Sequence, residues 1–158
     1  MPRVVTPKSF GPPLGMYSHG MAAGPGELLV VAGQVGTRAD GQVAGPEVGA
    51  QTKQALDNVR TVLEAGGCTM RDVVRLQTFL TSAGDIAGFM KARQEVFPGY
   101  FPGGAYPPNT LLVVSGLVRP DLLVEIEAMA VRRASRAPAR NRPPAKRSQP
   151  AKRRRARR

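Results

Sequence analysis

The chain has 158 residues, a formal net charge of +12, one cysteine, one histidine and no tryptophan. That length suits one domain with a real core. The lone Cys68 excludes an internal disulfide and suits a reducing compartment. No basic start leads into a long apolar segment, and no apolar run nears the ~18 residues of a membrane span, so the cytoplasm is the expected location.

Charge divides the chain into two parts. Residues 1–131 hold ten Lys/Arg and eleven Asp/Glu, a net of −1, while residues 132–158 hold thirteen Lys/Arg and no acid, a net of +13. The high isoelectric point therefore describes a tail. Rich in Pro, Ala and Arg and ending in Arg153, Arg154, Arg155, Arg157 and Arg158, the tail has too little apolar surface to fold alone and is read as disordered. Its charge suits nonspecific contact with RNA, DNA or another polyanion; a solubilising extension is the plainer alternative.

Leu28–Val35 is an apolar run bounded by glycine and proline, the pattern of a buried strand, and Asp40-Gly41 signals a hairpin leading to Gln42–Ala44. From Pro46 to Ala65 apolar residues recur at helical spacing, with Pro46 suited to the first turn and Gly66-Gly67 to the stop. Asp72–Thr81 reads as a strand. Asp85 can cap a second helix whose apolar face includes Ile86, Phe89, Met90, Val96 and Phe97, with Pro98 ending it. Two strands finish the domain, one within Tyr106–Gly116 and one over Val124–Ala130. The order ββαβαββ predicts an α+β domain, a mixed sheet with two helices packed on one face. Two helices cannot cover both faces, so the other is left for a partner.

In the last strand Glu125 and Glu127 point one way and Val124, Ile126 and Ala128 the other. Such glutamates either line a cleft or sit on a solvated face, and periodicity leaves both open. Cys68 has no tie to His19 and reads as a small residue at a helix end. Neither a histidine pair nor a carboxylate cluster with metal-ligand spacing is present, so nothing forms a nuclease or metal site.

Four segments, Gly15-Met16-Tyr17-Ser18-His19-Gly20, Leu28–Val35, Gln51–Val59 and Tyr106–Ala130, resemble in order and spacing the RidA/YjgF family of imine and enamine deaminases. The resemblance runs to about Arg132. It implies a chorismate-mutase-like fold and a homotrimer with a cleft between neighbouring subunits. It implies a small-molecule substrate and no cofactor. Glu125 then matches the glutamate that orients the attacking water, Tyr17 the tyrosine that closes the cleft, and Gly33 a glycine whose backbone abuts the ligand. Asn58 matches a helix asparagine and reads as structural.

The departures matter as much. Asn109 stands at the position of the family's carboxylate-gripping arginine, Leu111 where several members have cysteine, and Ala32 where serine is frequent. One more residue separates Asn109 from Glu125 than in arginine-bearing members. Asparagine can hydrogen-bond a carboxylate but cannot neutralise it or grip it with two prongs. Three functions remain in order: a hydrolytic deaminase for a substrate other than a simple 2-imino acid, a non-catalytic small-ligand binder, and a protein that contacts nucleic acid through its tail.

Overall fold

The computed structural model describes residues 2–133, so the basic tail beyond Arg133 and its arginines at 153–158 lie outside the described residues. The elements run β1 (Arg3–Val5), β2 (Gly20–Ala22), β3 (Glu27–Val35), α1 (Val48–Ala65), β4 (Val73–Leu80), α2 (Ile86–Tyr100), β5 (Asn109–Val113) and β6 (Val124–Arg132). β1 and β2 form a small antiparallel sheet, and a four-stranded sheet is ordered β3-β6-β4-β5. Only β4 and β5 run parallel, joined by the α2 crossover; β6 lies antiparallel between β3 and β4. Both helices pack on one face, which is the expected α+β architecture.

The core lies between the helices and that face. Along α1 the buried residues Val48, Gln51, Thr52, Ala55, Leu56, Val59 and Leu63 recur every three or four positions, which puts them on one stripe. They meet Leu76 and Leu80 of β4 and Val124, Ile126, Ala128 and Ala130 of β6. Gly67 stops α1 because its φ of +73° is cheap only for glycine. Cys68 just beyond is buried, and burial pushes its thiol pKa up, as suits an inert packing residue. Asn58 donates to the carbonyls of Val35 (3.0 Å) and Thr37 (2.8 Å), fastening α1 to the end of β3 as its structural reading implied.

Four details depart from the sequence expectations. α2 continues through Pro98 to Tyr100. A proline near a helix end costs one hydrogen bond, and ring packing among Phe97, Phe101 and Tyr106 holds the last turn. Asp85 makes no side-chain cap; Ser82 instead accepts from the Gly84 amide in the preceding turn. The expected strand at Gln42–Ala44 reduces to a single bridge, Thr37 to Val43, beside the Asp40-Gly41 turn. And β3 is not a buried strand: it is an edge strand with Val31 inside and Leu28 and Val30 at 57% and 59% exposure. Its hydrophobicity serves two faces, of which the helices cover one.

Candidate functional site on the open sheet face

β6 is the central ribbon of the site. Its burial alternates strictly, with Val124, Ile126, Ala128 and Ala130 inside and Glu125, Glu127, Met129 and Val131 toward the side away from the helices. Pairing carries these rows across the sheet. Glu125 lies opposite Val35 on one side and Phe79 on the other, and Phe79 opposite Leu112. The next row holds Glu127, Gln77 and Thr110, and the one after it Val30, Met129 and Arg75.

The β3–β6 register shifts between Val31 and Gln34, leaving Ala32 and Gly33 as a bulge beside Glu125. There the Glu125 side chain lies directly on the Gly33 backbone. A Cβ built on Gly33 would sit 2.5 Å from the Glu125 Cδ and closer still to Oε1. The missing side chain is what lets the carboxylate lie down over β3, the use of a strand glycine where another group must come close. Among the described residues Glu125 has neither a salt-bridge partner nor a hydrogen-bonded side chain. A half-buried carboxylate with unused acceptor capacity is equipped to hold a water or a polar ligand. Farther along the face a depression of about 90 Å³ is lined by Val30, Ala32, Arg75, Gln77, Glu127 and Met129. There the Arg75 guanidinium donates to Gln77 Oε1.

Gln51 sets the approach to β6. It is fully buried; its amide donates to the carbonyls of Gly45 (3.1 Å) and Asp121 (3.0 Å), and its Oε1 accepts from the Leu123 amide (2.9 Å). One side chain thus ties the 116–123 turn to the loop after β3, two residues before Glu125. Arg119 belongs to the outer layer of this turn: it pairs with Asp121 at 2.5 Å and donates to the Gly41 carbonyl at 3.2 Å.

Residues 9–132 match the Endoribonuclease L-PSP family. The chain is 32% identical over 133 residues to a RutC family protein of Pyrococcus horikoshii, covering 84% of this chain and 99% of that one. It is 27% identical over 133 residues to the 2-iminobutanoate/2-iminopropanoate deaminase of Escherichia coli, covering 84% of this chain and all of the relative. Among solved structures it is similar to a Rid family protein of unknown function from Yersinia pestis, with TM-score 0.72 and 34% identity over 82% of this chain and 98% of that one. The chain belongs to the RidA/YjgF family.

Within this RidA/YjgF domain the site residues expected from the sequence separate into three groups. Glu125 and Gly33 come together at the bulge, while its other residue, Ala32, lines the depression with Glu127. Asn109 and Leu111 do not join them. The β4–β5 register places both opposite the helix-facing residues Leu76 and Thr78, where Asn109 Oδ1 accepts from the buried Thr78 hydroxyl at 3.0 Å and Leu111 packs on the core. Thr110, which the sequence reading passed over, points to Glu125's side. The surplus residue between Asn109 and Glu125 was the signal that could have found it, because removing that surplus brings Thr110 to the arginine position.

Tyr17 forms the third group. It lies in the loop before β2, edge-on to His19 with centroids 6.3 Å apart, and no hydrogen bond or ring contact joins it to Glu125 within one chain. The loop is fastened to α2 by Arg93, which is 3% exposed and donates to the Met16 carbonyl at 2.6 Å. Its guanidinium stacks on Phe97 at 4.3 Å and Phe89 at 5.4 Å. Burial without a carboxylate lowers the Arg93 pKa to about 10, which still leaves it charged at neutral pH. Phe79, Gln77 and Leu112 were also missed, since strand alternation cannot tell which strands become neighbours.

Proposed function

We propose that this protein is a hydrolytic deaminase of reactive imines or enamines, acting in a cleft that forms when three copies associate. The observation that carries the reading is the Glu125 carboxylate laid over Gly33 on the uncovered sheet face. Family membership and the deaminase relative support it.

Glu125 holds a water against the C=N carbon and takes one of its protons as the oxygen attacks. The proton then passes to the nitrogen of the tetrahedral intermediate. The hydroxyl proton of the intermediate then moves through Glu125 to the departing nitrogen as the C–N bond breaks, and the products are a carbonyl compound and ammonia. A positioned general base of this kind is worth about 10²–10⁴-fold. Tyr17 closes the cleft over the substrate, and because its loop is anchored to α2, the closure takes place across the boundary between neighbouring copies. Ala32 and the Gly33 backbone form the floor. Leu28, Val30, Met129 and Val131 supply an apolar surface on the same face for association, which closed cyclic symmetry then completes.

The test is hydrolysis of freshly generated imines, followed by ammonia release above the spontaneous rate. Wild-type protein is expected to accelerate it and Glu125→Gln to remove the acceleration. Saturable binding without turnover would instead favour a non-catalytic ligand-binding trimer. A second reading rests on charge: the +13 of residues 132–158 against −1 for the rest suits phosphate contact by the tail, including Arg153, Arg154, Arg155, Arg157 and Arg158.

A further inference from the structure

The placement of Thr110 and Glu125 says what kind of molecule this face accepts. Its strand residues include two carboxylates, Glu125 and Glu127, and among the described strand residues there one cation, Arg75. The backbone of Arg75 stands opposite Met129, four residues along β6 from Glu125, ~13 Å at strand rise. It is also engaged with Gln77. Phe79 lies between Glu125 and Leu112 of the outer strand β5, with Leu112 at 40% exposure. Thr110, one row away, brings a hydroxyl that donates and accepts but carries no charge.

We infer that the site takes substrates without a carboxylate, namely neutral or cationic imines and their amine relatives with an apolar substituent. The apolar part lies over Phe79 and Leu112, the nitrogen faces Glu125, and Thr110 meets a neutral polar group at the far end. This deepens the deaminase reading and rests on it for the location of the site. The reason is electrostatic. A ligand carboxylate ~6 Å from Glu125 with no cation beside it is disfavoured on the order of tenfold to a hundredfold at the effective dielectric of a protein surface. A protonated imine or ammonium gains where the carboxylate loses, and an uncharged ligand feels neither effect. Thr110 is thus a specificity-determining residue: a long cation there reaches over Phe79 toward Glu125 and supplies the missing countercharge.

Two measurements on the full-length protein test this separately from the reaction. Calorimetry with benzylamine, benzamide and benzoate, which share a ring and differ in charge, is expected to rank them in that order, with benzoate weaker than benzamide by about tenfold or more. Glu125→Gln should shrink the spread and Thr110→Arg should bring benzoate level with benzamide, with Thr110→Lys as the second variant. Turnover is then compared for the imine of benzylamine and for 2-iminopropanoate, with kcat/KM expected to favour the former. Benzoate binding as tightly as benzamide to the wild type, or 2-iminopropanoate as the better substrate, overturns the inference while leaving deaminase chemistry intact. The expected binding order without any Glu125-dependent turnover overturns the deaminase reading and leaves the charge selectivity standing.

Discussion

Gly33 and Glu125 occupy one volume: the carboxylate of the glutamate lies where a side chain at position 33 would be. The bulge in β3 places the glycine there, and strand alternation in β6 aims the glutamate at it. Gly33→Ala should therefore swing the carboxylate away without unfolding the domain, because the atoms it meets belong to the flexible side chain of a half-buried glutamate and not to backbone. Activity should fall by about a hundredfold, as for a misplacement near 1 Å. The overpacking cost should stay within about 1–3 kcal/mol. Imine hydrolysis measured beside the melting temperature checks both parts.

Asn109→Arg should not create a carboxylate grip, although position 109 read from the sequence as the arginine position. Its side chain faces Thr78 and the helix side, so an arginine there meets the core margin or must twist β5. Loss of the Thr78 hydrogen bond and strain at the strand should destabilise by about 1–3 kcal/mol. Thr110→Arg, on the open face, should cost little. Thermal denaturation of the two variants side by side distinguishes the register seen here from one shifted by a residue.

Arg93→Ala should loosen the Tyr17 loop. The substitution removes a charge-assisted bond to the Met16 carbonyl and the guanidinium stacked on Phe89 and Phe97. A loss of about 2–4 kcal/mol is expected. Hydrogen exchange at the amides of Met16 to Ser18 should speed up more than exchange in β6. Equal acceleration throughout would mean that Arg93 serves global packing alone.

Val30→Glu should dissociate the assembly. Val30 is 59% exposed in one chain and shares its row with Met129 on the uncovered face. Sedimentation at micromolar concentration should find a trimer for wild type and smaller species for the variant, since a charge facing its own copies is unpaired. A wild-type monomer would remove the intersubunit cleft.

Full-length protein should bind RNA or duplex DNA with little sequence preference, and a chain ending at Arg133 should not. All the excess positive charge lies beyond residue 131. Affinity should fall log-linearly with salt as counterions are released. The tail has no aromatic residue to stack on bases, so single strands should gain no advantage. Filter binding across a salt series checks this, and equal affinity for the two chains at low salt would leave the tail without a phosphate-contacting role.

Sequence alone determined what local chemistry can encode. The period of α1, its glycine stop, the alternation of Glu125 and Glu127 and the partition of charge are all properties of neighbouring residues. Tertiary structure decided what depends on pairing between distant segments. The register of β5 against β4 turned Asn109 inward and Thr110 outward, because a shift of one residue exchanges the two faces of a strand. The bulge at Ala32 and Gly33 made an apolar strand into the seat of a carboxylate, and the packing of both helices on one side left Leu28 and Val30 exposed. No periodicity within a single strand carries that information, since it is set by hydrogen bonds to segments tens of residues away.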